Sequence, residues 1–298
     1  MSAVAHQILT TASDRQTAHL SANRLHLHEG PIDLVIGAEG SPNVISEAYQ
    51  RATSRFDGLL ASLIGELATL RTPVCDEPSE VFGPVAKRMM AAVRPHAGHF
   101  ITPMAAVAGA VADEICATMS MVNGVRKIYV NNGGDIAFHL ATGETLAVGL
   151  VPILAEARLG GSITISSDMS VRGIATSGIS GRSFSFGIAD AVTVLASSAA
   201  NADAAATLIA NAVDADHPAI ERAPASLIDP DSDLGNRLVA VNRGSLPPGT
   251  IDAALSQGEE FARNLIERRL IDAAFLSCEG HIRTVDKMHT NTIETFLS

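Results

Sequence analysis

Positive charge, cysteine and uninterrupted apolar runs are all scarce in this sequence, and each scarcity removes a class of protein. Lysine and arginine number 21 against 32 aspartates and glutamates, a formal charge of -11 over 298 residues. That balance opposes loading onto the polyanionic backbone of DNA or RNA, so no nucleic-acid partner is expected. The 3 cysteines, Cys75, Cys116 and Cys278, stand far apart with no CxxC or CxxxH spacing. Neither a zinc site nor a disulfide framework follows, and reduced thiols are expected. The opening MSAVAHQILTTASDRQTAHL has no basic segment leading into an apolar one and no cysteine for lipid attachment. No export is therefore expected, and the expected compartment is the cytoplasm. The most apolar stretch, Ile101 to Val122, carries Asp113 and Glu114 near its middle. Those carboxylates are costly in lipid and ordinary on a packed helix, so no membrane span is expected.

What the chain does have is 47% hydrophobic residues, enough for a sizeable core in either one large domain or two intimately packed halves. Residues 1–20 are polar and read as a loosely ordered arm, leaving 21–298 for the domain. Leu25, Leu27, Ile32, Leu34 and Ile36 alternate around Glu29-Gly30-Pro31, which predicts an opening hairpin. From Val44 to Leu70, apolar residues recur at three- and four-residue spacing, predicting one long amphipathic helix. Further helices are predicted from about Ser79 to Val93 and from Pro103 to Met121, the latter with a surface of small residues that lets another backbone approach. Strands are predicted at Lys127 to Val130, Ile136 to Leu140, Thr145 to Val151, Ser162 to Ser166, Val171 to Thr176 and Ala191 to Ala196. The Ala-rich segment Ala200 to Val213 reads as a helix, Asp214 to Leu234 as a long connection, and Arg237 to Val241 as a strand. A helix from Ile251 to Arg268 and strands Ala273 to Ser277 and His281 to Val285 follow. The fold class is α+β, with a mainly antiparallel sheet packed against helices.

Several constellations could carry chemistry. Asn132, Gly133, Gly134 and Asp135 follow a strand, where two glycines let the main chain approach a ligand and Asp135 adds a carboxylate; the alternative is a plain hairpin turn. Asp203 and Thr207 lie four residues apart in an otherwise apolar helix and so project from one face. A carboxylate and a hydroxyl there suit a hard ion such as Mg²⁺, which keeps waters or ligand phosphates in its shell. The alternative is an aspartate favoured by the helix dipole. Gly173 to Ser183 is a glycine- and hydroxyl-rich turn that could offer main-chain donors to a phosphate, with Arg182 as an ionic partner; otherwise it is a flexible hairpin. It lacks the ending of a P-loop and the pattern of a nucleophile elbow. Asp229-Pro-Asp-Ser-Asp233 fails as an EF-hand, because Gly235 is one place late and Ala240 stands where the bidentate glutamate is needed.

Taken in order, these segments resemble the ApbE-like superfamily, relatives of the FAD:protein FMN transferases. Met104 to Asp113 resembles that family's GAIAKGYAVD segment, with Gly109 and Asp113 matching. Asn132 to Asp135 resembles its GGD turn, Ala175-Thr176-Ser177-Gly178 its ATSG strand end, and Ala202-Asp203 with Thr207 its ADALST metal-binding helix. Ser185-Phe-Gly187, Ala189-Asp190-Ala191 and Asp231-Ser-Asp-Leu-Gly235 are similar to an uncharacterised branch of the same superfamily. The resemblance runs from about Arg24 to the final strands and implies an ApbE-like fold. It also implies Mg²⁺ on Asp203 and Thr207, with a main-chain oxygen of the small-residue helix as a third ligand. Asn132, Gly133, Gly134, Asp135, Thr176, Ser177 and Gly178 would line a flavin-nucleotide pocket, with FAD as the cofactor.

The departures are equally specific. Ala108 replaces a lysine of the transferases, and Ser185 to Asp190 replaces a histidine-containing HIIDP segment, so two polar groups of the nucleotide pocket are absent. The readings that remain open are an FMN transferase acting on a threonine of an acceptor protein, a non-transferring binder of flavin or another small molecule, and a small-molecule hydrolase on the same scaffold. The catalytic residue is unassigned, and a homo-oligomer stays open.

Overall fold

The computed structural model describes residues 15–75, 79–150, 161–181, 183–287 and 293–295. The chain divides into two units, Met1–Glu144 and Thr145–Ser298. Among the described residues, no helix is long and apolar enough to cross a membrane.

In the first unit the strands are β1 (Gln16–Leu20), β2 (Arg24–Glu29) and β3 (Ile32–Glu39), joined in the sheet by β4 (Lys127–Asn132) and β5 (Asp135–Leu140). Each pairs antiparallel with the next. Alternation along the strands puts Leu25, Leu27, Leu34, Ile36, Ile128, Val130 and Ala137 on one face, none more than 1% exposed. Removing a leucine or isoleucine side chain from water is worth about 1.5–3 kcal/mol, so this face defines the unit's core. Between β3 and β4 run α1 (Pro42–Phe56), α2 (Leu59–Gly65), α3 (Leu67–Leu70), α4 (Pro84–Val93) and α5 (Val107–Ser120). Helix α5 packs on β4 and β5, and α1 and α4 pack on α5. Glu114 of α5 ties the three helices together, accepting hydrogen bonds of 2.8 Å from both Arg55 and Arg88.

Three expectations change here. The single helix expected from Val44 to Leu70 is broken into α1, α2 and α3, because Asp57 is extended (ψ 125°) and Gly58 takes a left-handed φ of 71°. Apolar periodicity carries across such a break unaltered. The helix expected from Ser79 begins at Pro84, whose ring presets the first helical φ; Glu66 accepts from the main-chain N–H of Phe82 (2.6 Å) and Gly83 (2.8 Å) just before it. The first turn of the helix expected from Pro103 is a separate 3-10 turn, Pro103–Ala106. Of the stretch read as an arm, Gln16–Leu20 forms β1 with every residue exposed, and residues 1–14 lie outside the described residues.

The second unit opens with β6 (Thr145–Leu150) and β7 (Gly161–Ser166), which pair antiparallel; Val151, expected to end that first strand, lies outside the described residues. Next come β8 (Gly173–Ser177), β9 (Ala191–Ala196), α6 (Ala199–Ala212), β10 (Ile220–Pro224), α7 (Ala225–Ile228) and β11 (Leu238–Arg243). The chain continues through α8 (Pro248–Glu267), β12 (Ala273–Cys278), β13 (His281–Asp286) and β14 (Ile293–Thr295). Strand β8 pairs with β9, β9 with β12, and β12 with β13, all antiparallel. Helix α6 packs on β8, β9 and α8. Its buried side is nearly all alanine, with Ala202, Ala205, Ala206 and Ala210 each 0% exposed. Short side chains let the helix axis approach the sheet. At Gly187 a Cβ would sit 2.1 Å from the Ala210 carbonyl oxygen, so only glycine fits at the end of that helix.

The connection expected from Asp214 to Leu234 contains structure: β10 pairs antiparallel with β11 across a bulge at Glu221 and Arg222, and α7 follows. Prolines at 218, 224 and 230 read as loop in sequence, yet Pro224 stands at the last position of a two-stranded ribbon, where a missing N–H costs little. Both units combine helices with antiparallel strands, as the α+β expectation requires.

Candidate functional site

Asn132 to Asp135 forms the β4–β5 hairpin. Gly133 (φ 66°) and Gly134 (φ 114°) are its two turn residues, a conformation that matches the twist of paired strands and favours glycine. Asn131 Oδ1 accepts from the Gly134 N–H at 2.8 Å. The Asn132 side chain is buried; its Nδ2 donates to the Ala108 carbonyl at 3.1 Å, and its Oδ1 accepts from the Asp33 N–H at 3.4 Å. Asn132 thus fastens α5 to the hairpin, and Asp135 is buried opposite it. Ala108, the residue that departs from the transferase pattern, contributes its carbonyl to that tie.

In the second unit, β8 ends in the other predicted segment. Thr176 Oγ1 lies 2.8 Å from Thr193 Oγ1 on β9, so the two hydroxyls share a hydrogen bond across the strands. Thr176 and Ser177 are half-buried, whereas Gly178 is buried. A Cβ on Gly178 would stand 2.4 Å from the Asp190 carbonyl oxygen. The Ile179 N–H donates to the Ala189 carbonyl at 2.8 Å, and the Gly181 N–H to the Gly178 carbonyl at 3.0 Å. Arg182 lies outside the described residues.

Asp203 and Thr207 are both half-buried on α6, one turn apart, while Ala202, Ala204, Ala205, Ala206 and Leu208 around them are buried. Ser198 caps the helix, accepting from the Asn201 N–H at 3.2 Å. The polar line continues to Asn211, a further turn on. Asn211 Oδ1 accepts from the Phe186 N–H at 2.9 Å and from the Ser185 hydroxyl at 3.3 Å. At 1.5 Å per residue, Asn211 sits about 12 Å along the axis from Asp203. The Ser185 to Gly187 segment is therefore bound one turn beyond Thr207 and two turns beyond Asp203.

Asp190 ends that segment in a buried charge network. Its Oδ1 accepts from Arg243 Nη2 at 2.7 Å, and its Oδ2 from the Glu279 N–H at 2.6 Å; the Asp190 and Arg243 side chains are each 11% exposed. Burial raises the Cys278 thiol to about 11; the Arg243 charge opposes the shift, and Asp190 and Glu279 add to it. Cys278 is therefore a neutral thiol and no nucleophile at neutral pH. None of the three cysteines is in a disulfide; Cys75 is exposed, and Cys116 is buried like Cys278.

The residues that sequence reading missed are Thr193, Asn211 and Arg243. Asn211 had a visible signal, the four-residue step from Asp203 through Thr207; the other two had none. The structure brings Asn132, Gly133, Gly134 and Asp135 together within the first unit, and Thr176, Ser177 and Gly178 on the strand against which α6, with Asp203 and Thr207, packs in the second.

For a metal ion, the donor set on α6 is one carboxylate and one hydroxyl. Among the described residues, no group of three or more His, Cys, Asp or Glu side chains could hold a metal. Soft or tightly chelated metals thus find no cage here. The pair fits an ion such as Mg²⁺, whose remaining positions are filled by main-chain oxygen, water or ligand phosphate.

The elements together define an antiparallel α+β protein with a carboxylate–hydroxyl pair on an alanine-rich helix. A family model described as AbpE bacteria matches residues 15–284, and the chain belongs to that family, an ApbE-like relative. A UPF0280 protein of Methanothermobacter thermautotrophicus is 39% identical over 145 residues, covering 47% of this chain and 54% of that protein. One from Methanopyrus kandleri is 42% identical over 142 residues, with coverage of 47% and 54%. One from Methanothrix thermoacetophila is 36% identical over 185 residues, with coverage of 58% and 71%. The chain thus spans about half the length of the first two relatives, at 54% of each. Among solved structures, the apo flavinyl transferase ApbE of Pseudomonas stutzeri is 13% identical, with 92% of this chain and 94% of that one covered, at a TM-score of 0.42.

Proposed function

We propose that this protein binds a flavin nucleotide together with Mg²⁺ and transfers the FMN half of FAD to a threonine of an acceptor protein. The observation that carries the reading is the Asp203–Thr207 pair: two oxygen donors, half-buried and one turn apart, on an alanine-rich helix. In this reading Asp203 supplies the charge and Thr207 the neutral oxygen of an incomplete shell, so the metal would be held firmly only when nucleotide phosphate completes it. Mg²⁺ so placed would neutralise charge on the pyrophosphate, the main requirement of phosphoryl-group transfer. The main chain from Thr176 to Gly178 would orient the nucleotide from the adjoining strand. The acceptor threonine Oγ would form the new bond to the FMN phosphorus as the bond to the AMP oxygen breaks, with AMP leaving and the hydroxyl proton passing to solvent.

A second reading, a binder that does not transfer, is favoured by one observation. The segment that replaces HIIDP is committed to structure here, with Ser185 and Phe186 on Asn211 and Asp190 on Arg243. Incubation of the purified protein with FAD, Mg²⁺ and candidate acceptor proteins separates the two. Transfer predicts AMP release matched by a covalent FMN increment on an acceptor threonine. FAD retained intact supports the binder, and no interaction with FAD in any form removes both readings.

A further inference from the structure

We infer that Asp190 and Arg243 are positioning residues for the Thr176–Gly178 loop, setting its main chain without reaching the ligand. The inference rests on the functional reading above in one respect, that this loop meets a nucleotide. The chain leaves β8 at Ser177 and re-enters the sheet at β9, and its return, Ile188 to Asp190, is fixed from three directions. The Ile188 N–H donates to the Val213 carbonyl at 2.8 Å, and the Asp190 N–H to the Ser277 carbonyl at 2.8 Å. The third direction is the guanidinium of Arg243, at the end of β11. It donates to Asp190 Oδ1 and to the Ile188 carbonyl, lies 3.2 Å from Cys278 Sγ, and has its Nε 3.3 Å from Glu279 Oε1. That last approach is ionic without hydrogen-bond alignment. Glu279 in turn gives its N–H to Asp190 Oδ2 and accepts from the Leu246 N–H at 3.3 Å. One buried cation thus joins β11, the return segment and the β12–β13 turn.

The loop leans on what this network holds. Gly178 is pressed so closely on the Asp190 carbonyl that no side chain fits, and the Ile179 N–H bonds the Ala189 carbonyl. Any shift of residues 189 and 190 is passed directly to the main chain at 178 and 179. Donors that orient a phosphate must hold their place to within about 0.5 Å. A fork-shaped guanidinium meets that need because it fixes two acceptors at once, which an ammonium cannot do.

The test uses the full chain with R243Q, R243K and D190N, and with D272N as a control that weakens a different ion pair of the same unit, Asp272 with Lys287. Hydrogen exchange of the amides at 178–181 is read without ligand, and FAD affinity is read with Mg²⁺ present by flavin fluorescence. R243Q and D190N are expected to speed exchange at 178–181 by about tenfold beyond any change in the β9 and β12 amides, and to weaken FAD binding by about the same factor, equivalent to 1.4 kcal/mol. R243K should recover part of both, and D272N should change neither. If R243Q does not fold, R243K and D190N carry the measurement. Exchange at 178–181 that stays unchanged, or rises only in step with the β9 and β12 amides, overturns the inference, as does a loosened loop with unaltered FAD affinity. If the wild-type chain binds no FAD, the functional reading fails, and the exchange pattern alone decides whether Asp190 and Arg243 set the loop.

Discussion

Asp190 and Asp203 flank the same strand, β9, and their carboxylates stand in different surroundings. Asp190 is buried, with one oxygen on Arg243 and the other on a main-chain N–H, and the segments around it have no freedom to rearrange for a ligand. Asp203 is half-buried on a regular helix, beside a hydroxyl and above a layer of alanines. A carboxylate whose oxygens are both committed to protein donors is scaffold. Asp203, half-buried beside the Thr207 hydroxyl, is the carboxylate that the proposed Mg²⁺ would use. The two share unit and residue type, so their contrast isolates environment as the cause.

The sharpest way to break this contrast is to remove each carboxylate and compare unfolding. D190A leaves the Arg243 charge with only the Glu279 carboxylate at 3.3 Å, and a loss of about 3 kcal/mol, the low end for a broken buried pair, is expected by urea denaturation. A loss below about 1 kcal/mol would mean that the network is not structural. Glu114 extends the scaffold side of the comparison into the first unit. Burial alone would raise its carboxyl, but the hydrogen bonds from Arg88 and then Arg55, with their charges, outweigh it and hold the folded value below the ordinary one. A carboxylate depressed on folding contributes stability above its unfolded value, about pH 4.3, and loses that contribution as pH falls through the lower folded value. E114Q should therefore cost about 1.5–3 kcal/mol at pH 7, and the gap to wild type should close as the solution is taken below about pH 4. A gap independent of pH would show that the charge is immaterial.

On the other side of the contrast, D203A should move the urea midpoint far less than D190A does, by about 0.5 kcal/mol, because Asp203 is only half-buried on its helix face. A loss matching that of D190A would place Asp203 in the scaffold too. The smallest effect concerns thiols. Cys75 should react with a thiol reagent at pH 8 in the folded protein, whereas Cys116 and Cys278 should react only on unfolding, since burial raises both. Rapid labelling of Cys278 would mean that the Asp190 network opens in the native state.

Much of this architecture was legible in local patterns. Alternation at Leu25 to Leu27 and Leu34 to Ile36 located the β2–β3 hairpin, and the alanine run located α6 within a residue at each end. That Asp203 and Thr207 lie one turn apart on that helix was legible for the same reason, since a four-residue step is a local property. What escaped depends on partners remote in the chain or on single backbone angles. Arg243 meets Ile188, Asp190 and Glu279 across spans of tens of residues, which no spacing rule connects. Asn132 was read as a ligand-facing residue of a glycine turn, and its bond to Ala108 shows a fastening duty that the motif alone does not carry. The break at Gly58 and the ribbon strand ending at Pro224 were hidden because apolar period and proline content describe tendencies, while one left-handed φ or one edge position decides the outcome.

The proposed site on α6 makes nucleotide binding depend on metal. FAD binding measured by flavin fluorescence with and without Mg²⁺, in wild type, D203N and T207V, is the deciding measurement. A metal site on α6 predicts binding that strengthens at least about tenfold with Mg²⁺ in the wild type, loses that gain in D203N and keeps part of it in T207V. Equal binding with and without Mg²⁺, or an undiminished gain in D203N, would contradict it.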